Sequence, residues 1–149
     1  MIEKPGNIWK SNADVICIPT NSDINMMGEL IMERGVALEV TEFNSNVSFY
    51  FAKHVERRGN TPCLFRTDIN PNFCSLPIKH KCRDNPELSL IKRSIELMIA
   101  IMDTDKKNFL RIALPRPGCE HGELDWENEV KPVIEPLLDN RFIVYSLWK

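Results

Sequence analysis

The stretch that most constrains the fold of this chain is Leu110–Trp126, which reads LRIALPRPGCEHGELDW. It begins as an apolar run through Leu110, Ile112, Ala113 and Leu114 and stops abruptly at Pro115 and Pro117. A short apolar run with such a stop predicts a buried strand. Gly118 and Gly122 then bracket a turn, and Asp125 stands where the N-cap of a following helix belongs. Strand, glycine loop and helix start together aim backbone N–H groups at an anionic ligand. In open α/β sheets ligands bind beyond the carboxyl ends of the strands, which is where this loop falls.

The rest of the chain alternates between the two periodicities. After a very short N-terminal segment and a turn at Gly6-Asn7-Ile8, Ala13–Pro19 (ADVICIP) reads as a central strand buried on both faces. Thr20-Asn21-Ser22-Asp23 forms the loop at its end. Val36–Asn44 and Val47–Arg58 read as helices, the second with a buried stripe through Val47, Tyr50, Phe51, His54 and Val55 and a stop at Gly59-Asn60. His54 on that stripe reads as a packing histidine. Cys63–Thr67 and Phe73–Lys79 read as strands around a turn that contains Pro71. Asn85-Pro86-Glu87 has the cap, first-turn proline and early acid of a helix start, and Leu88, Ile91, Ile95, Met98 and Met102 follow at helical spacing. A last helix runs from Asp125 to Leu138, with an irregular first turn and a kink imposed by Pro132 and Pro136, and Arg141–Trp148 closes the chain as a strand. The expected fold is a single α/β domain over residues 1–149, a three-layer α/β/α sandwich around a mixed, mostly parallel central sheet.

Composition narrows the function classes. The 149 residues, 43% hydrophobic and 27% charged, can bury a sizeable core. A net charge of −2 argues against a basic face that grips nucleic acid directly. No run approaches the roughly eighteen apolar residues of a membrane span, and the opening MIEKPGNIWK lacks the apolar centre of a secretion signal. Five scattered cysteines, Cys17, Cys63, Cys74, Cys82 and Cys119, read as reduced thiols, so a cytoplasmic setting is expected.

The Leu114–Trp126 segment resembles the phosphate loop of phage and bacterial macrodomains, the Appr-1″-p processing proteins, whose usual form is close to LPRPGCGxGGLDW. Leu114, Pro115, Arg116, Pro117, Gly118, Cys119, Gly122, Leu124, Asp125 and Trp126 match, while Glu120 and Glu123 stand where the family has glycine. Gly28–Leu38 (GELIMERGVAL) resembles the family's GELVMGxGIAL, with Pro19-Thr20-Asn21 before it and Glu33 in place of a glycine. LPIKHKCR at Leu76–Arg83, then LSLIKRS, resembles the family's FPxKHxW and LxLIKRS segments and puts Lys79 on the family's lysine. The likeness spans nearly the whole chain, from Gly6-Asn7-Ile8 to the closing DNRFIVYSLW.

The resemblance implies a ligand, ADP-ribose or a related NAD-derived nucleotide, with no cofactor. It implies pocket residues Asn7, Ile8, Asn21, Gly28, Met32, Glu33, Gly35, Val36, Ala37, Pro117, Gly118, Cys119, Gly122, Glu123 and Leu124. It also implies that Lys79 acts on the ribose anomeric carbon, as in relatives that release ADP-ribose from protein or DNA. Cationic neighbours at His80, Lys81 and Arg83 would favour a nucleophilic amine there. The acid that protein-directed relatives carry in the glycine loop falls on Gly122, so Glu120 and His121 are the candidate proton carriers, and Asp125 is reserved for the helix cap.

Physical chemistry sets the three glutamates against the ligand. A glycine in a phosphate loop takes positive φ and lets the backbone approach, and glutamate does neither well. A carboxylate about 5 Å from a phosphate charge costs on the order of 3 kcal/mol at an effective dielectric of 20. Glu33, Glu120 and Glu123 would converge as an acidic rim. A zinc site from His80-x-Cys82 and Cys119-x-His121 has the right ligand types but not the usual spacing, and no metal is expected. Two readings follow. One is an enzyme, an ADP-ribosyl glycohydrolase or ADP-ribose-1″-phosphate-type hydrolase acting on an ADP-ribosylated macromolecule through Lys79. The other is a catalytically inactive macrodomain-fold binding or interaction module with an altered acidic pocket.

Overall fold

The computed structural model describes residues 1–121 and 123–146. Its elements run β1 (Ile2–Pro5), β2 (Val15–Thr20), α1 (Gly35–Phe43), α2 (Val47–Arg58), β3 (Leu64–Phe65), β4 (Asn72–Pro77), α3 (Leu88–Thr104), β5 (Ile112–Pro115), α4 (Lys131–Ile134) and β6 (Phe142–Ser146), with a wide turn at Trp126–Val130 before α4 and a tight one at Glu135–Leu137 after it. The strands form one sheet in the order β1-β6-β5-β2-β4-β3. All neighbours are parallel except β3 against β4.

The strands are apolar without interruption because each faces protein on both sides, and their side chains divide between the two layers with a period of two. Val15 and Cys17 of β2, Cys74 and Leu76 of β4, Ile112 and Leu114 of β5, and Phe142 and Val144 of β6 pack with α3 and α4. Ile16 and Ile18, Phe73, Ala113, and Ile143 and Tyr145 point the other way, to α1 and α2. The result is the expected three-layer sandwich with two cores. No helix among the described residues is long and apolar enough to cross a membrane.

Several boundaries differ from the sequence reading, each for a visible reason. The strand expected from Leu110 starts at Ile112, because the Leu110 and Arg111 amides both donate to the Asp14 carboxylate at 3.0 Å. The third helix starts at Leu88 rather than Asn85. The Glu87 amide donates to the Ile78 carbonyl at 2.9 Å, which holds this segment extended beside the end of β4. The stripe on α2 runs through Val47, Ser48, Phe51 and Ala52, and Tyr50 is exposed, set edge-on to Phe65. His54 is half-buried and shares a 2.8 Å hydrogen bond with Thr61. β1 is absent from the sequence reading, since Ile-Glu-Lys-Pro carries no apolar alternation and all four residues are exposed. The closing strand is observed through Ser146; the Leu147 and Trp148 end of that expectation lies outside the described residues.

The last helix is as irregular as its two prolines require. Asp125 caps it by accepting from the Asn128 amide at 3.1 Å. Its first turn is wide, with the Val130 amide reaching the Asp125 carbonyl at 3.1 Å.

Candidate functional site

From β2 the chain passes to β4 on one side of the sheet and then returns to β5 on the other, so the crossover direction reverses between β2 and β5. The loops leaving the carboxyl ends of two such strands diverge and open a crevice between them, which is the usual ligand position in an open α/β sheet. Here those loops are residues 21–34 after β2 and 116–125 after β5. The segment 78–87 after β4 borders one end, and Gly6 and Ile8 after β1 together with Tyr145 and Ser146 of β6 border the other.

The loop after β2 is held by its own polar groups. The Asn21 side chain is buried, donates to the Ile31 carbonyl at 3.0 Å and accepts from the Asp23 amide at 2.8 Å. Ser22 donates through both its amide (2.8 Å) and its hydroxyl (2.6 Å) to the His80 carbonyl. The Asp23 carboxylate accepts from the Cys82 amide at 2.7 Å. These bonds stitch the β2 loop to the β4 loop. Together with burial of Ser94, whose hydroxyl donates to the Pro77 carbonyl at 2.7 Å, they fix the backbone on either side of Lys79.

The Cys82 amide bond holds the Asp23 carboxyl below its ordinary range against a smaller opposing effect of burial, with help from Lys81 and Arg83. A carboxylate with a depressed folded-state pKa contributes stability that is present above the carboxylate range and lost as pH falls through its folded value. The melting temperature of wild type should therefore exceed that of Asp23→Asn near neutrality. The difference should close in acid, and a gap that persists there would show that the charge is not what matters.

The β5 loop depends on Gly118. Its φ of +77° is left-handed, and a Cβ there would stand 2.9 Å from Leu124 Cδ1, 3.0 Å from Ile91 Cδ1 and 3.1 Å from Pro86 Cβ. The glycine thus lets the loop lie down on α3. The Arg116 guanidinium lies 5.1 Å from the Trp126 ring centroid and 3.7 Å from the Glu3 carboxylate.

Two adjoining cavities occupy the crevice. One, of about 70 Å³, is lined by Asn21, Met32, Glu33, Ala37, Lys79, Gly118, Glu120, His121 and Glu123, together with Ile31, Arg34, Ile78 and Cys82. The other, of about 480 Å³, is lined by Ile8, Gly35, Val36, Cys119, Glu120 and His121, with Gly6, Glu39, Pro115, Arg116, Tyr145 and Ser146. Of the residues that the resemblance implies, Asn7, Gly28, Pro117 and Leu124 line neither. Asn7 caps the short turn at Ile8–Lys10, Gly28 lies in the exposed turn after Asn25, Pro117 is buried, and Leu124 packs on the core. Gly122 lies outside the described residues. Arg34, Glu39 and Tyr145 carry no local sequence signal for a role here, since only the tertiary fold brings them to the crevice.

The three glutamates behave differently from one another. Glu33 is exposed. Glu123 faces Arg34 across 3.6 Å. Glu120 is also exposed, but its carboxylate accepts from the Val36 amide at 3.3 Å, at the N-terminus of α1. Burial pushes the Glu120 carboxyl above its ordinary range; Glu39 and Glu123 add to this, and the Val36 amide and Arg34 oppose it. Burial first, and then Arg34, holds the His121 imidazole below its ordinary range, so it is neutral near pH 7.

Lys79 lies two residues beyond β4, and its amine donates to the Cys82 carbonyl at 3.0 Å. The expected cationic neighbours are directed elsewhere. His80 faces Asn60 at 3.2 Å and Glu87 at 3.6 Å, and the charges of Lys81 and Arg83 act on Asp23. The zinc arrangement does not assemble either. The Cys119 thiol, pushed up to about 11 by burial, donates to the Pro117 carbonyl at 3.5 Å. Among the described residues no group of three or more His, Cys, Asp or Glu side chains is placed to hold a metal.

A three-layer sandwich with its crevice over the β2–β5 reversal defines the class of architecture. No protein-family model matches this sequence, and no curated protein sequence does. Solved structures do match over nearly the full chain. The macrodomain of Mycobacterium tuberculosis DarG superposes with a TM-score of 0.79 at 18% identity, covering 99% of this chain and 97% of that one. The macrodomain of Thermus aquaticus DarG gives 0.76 at 17% identity, covering 99% and 97%. Thermosipho africanus DarTG in complex with ADP-ribose gives 0.73 at 18% identity, covering 95% of this chain and 40% of that one. The chain has the macrodomain fold.

Proposed function

We propose that this protein recognises ADP-ribose or a related NAD-derived nucleotide in the crevice between the β2 and β5 loops. The observation that carries this reading is the place of the crevice. It lies over the sheet reversal, with the N-terminus of α1 and a glycine loop facing into it, on a fold shared with a protein solved in complex with ADP-ribose. The larger compartment, of about 480 Å³, is within the size range of small-molecule sites. Calorimetric titration of the protein with ADP-ribose, beside a panel of NAD-derived nucleotides, tests the reading. Saturable 1:1 binding to at least one of them is expected, and no heat with any would overturn it.

Hydrolysis extends this reading. Lys79 and His121 line the same small compartment, and His121 is neutral near pH 7. In that chemistry the neutral lysine amine forms a bond to the ribose anomeric carbon while the bond from that carbon to the macromolecule breaks, and the proton that the nitrogen then loses passes to the leaving group, with neutral His121 as the relay. Water then releases ADP-ribose and restores the amine. The second reading, a binding module without turnover, is favoured by one observation: the Lys79 amine is already engaged by the Cys82 carbonyl.

A further inference from the structure

We infer that Glu120 is the specificity-determining residue of the crevice: its carboxylate holds the position at the α1 N-terminus that a ligand's phosphate would take, so a pyrophosphate-bearing ligand must displace it and binds more weakly for that reason. This rests on the proposed nucleotide reading and adds to it which part of the ligand the protein selects against.

Three observations converge on this residue. The first is the contact itself. The Val36 amide, one of the orphan donors of the first turn of α1, is 3.3 Å from Glu120 Oε2. Such amides, with the helix dipole behind them, bind anions. A side-chain carboxylate there competes for the same donor as an incoming phosphate, and the two charges repel each other.

The second is the fit. Gly35 opens α1 with φ +59°, and a Cβ on it would lie 2.5 Å from Glu120 Oε2. The helix start therefore has room for the carboxylate only because it presents bare backbone. The third is the shape of the crevice. Glu120 and His121 line both cavities, so the loop that carries them stands between the compartments. The Lys79 compartment is left with about 70 Å³, well below the roughly 300 Å³ at which small-molecule sites begin.

The other two glutamates do not share this role. Glu123 is paired with Arg34, and Glu33 stands exposed at the rim. Glu120 is also a loosely held occupant, because the residue is exposed and its carboxylate is held by the Val36 amide at 3.3 Å. A ligand phosphate, carrying its own hydrogen-bond acceptors, can exchange with it.

The test compares wild type, Glu120→Gly and Glu120→Gln by calorimetry, with ADP-ribose and adenosine as the probes. Thermal melts of all three confirm folding. Glu120→Gly should raise ADP-ribose affinity by about tenfold or more, close to 1.4 kcal/mol per tenfold, and leave adenosine affinity unchanged. Glu120→Gln keeps the shape and removes the charge, so it should fall between the two. The Val36 amide resonance of the unliganded protein should shift in Glu120→Gly and follow the titration of Glu120 in wild type. Equal ADP-ribose affinity in wild type and Glu120→Gly would overturn the inference and leave the nucleotide reading standing. ADP-ribose and adenosine failing to bind any of the three folded proteins would overturn both. A Val36 resonance indifferent to the substitution and to pH would overturn the contact on which the inference stands.

Discussion

If the crevice hydrolyses ADP-ribosyl linkages, Lys79→Ala is expected to abolish release of ADP-ribose from a modified protein or nucleic acid while leaving the melting temperature nearly unchanged. The two halves of this expectation have different causes. The stability half follows from how little the side chain holds. Lys79 is partly buried at the crevice wall, and its amine makes one hydrogen bond, to the Cys82 carbonyl of its own loop. That loop is fixed independently by the bonds of Ser22 and Asp23 to His80 and Cys82. A single hydrogen bond of this kind is worth about 1 kcal/mol. The activity half follows from the hydrolase reading, in which the Lys79 amine is the nucleophile and its removal leaves groups that only move protons. Lys79→Arg should fail as well, because a guanidinium stays protonated and cannot attack carbon. Turnover that survives Lys79→Ala would remove this residue from the mechanism and point to His121 acting through water. No turnover by wild type on ADP-ribosylated protein or nucleic acid is what the binding-module reading requires.

The largest effect on stability is expected at Leu114. It is fully buried in β5, which pairs with β2 on one side and β6 on the other and leads directly into the glycine loop. Leu114→Ala should cost about 2–5 kcal/mol through lost burial and the cavity left behind, a fall in melting temperature on the order of 10 °C. Leu110 provides the control. It belongs to the same apolar run but is 64% exposed, so Leu110→Ala should change stability by no more than about 0.5 kcal/mol. Equal losses at the two positions would mean that Leu110 is buried and that the strand begins earlier than at Ile112.

That pair of leucines also shows what the sequence could convey. Apolar runs located β2, β4, β5 and β6, and 3.6-residue stripes located α2 and α3, because both patterns report burial against a neighbouring layer. Segment ends were less legible where a distant group decides them. Leu110 and Arg111 leave the strand for the carboxylate of Asp14, and Glu87 is drawn away from α3 by the carbonyl of Ile78. β1 was invisible because its pairing with β6 uses backbone alone. Of the segments that the motifs single out, the Lys79 loop, the α1 start and the glycine loop border the crevice. The motifs could not say where a glutamate points. Glu33, Glu120 and Glu123 look alike as substitutions for glycine, yet Glu123 faces an arginine and Glu120, exposed like Glu33, accepts from an amide at a helix start. Only the approach of Arg34 and Val36, from a different loop, separates them.

The two margins of the sheet have a consequence for how this protein behaves in a crowded solution. A sheet edge is a row of unpaired amides and carbonyls that can recruit a strand from another molecule. On one side that edge is β1, four residues long, carrying Glu3 and Lys4 and ending in Pro5. Glu3 is anchored by Lys131 at 2.6 Å and by the Trp126 indole at 2.9 Å, so a charged side chain is fixed beside the strand. On the other side the edge is β3, only two residues long and antiparallel to its neighbour. Neither offers an incoming strand enough length to register against. The continuous apolar strands, which would be the most aggregation-prone segments if exposed, all lie between these two short guards.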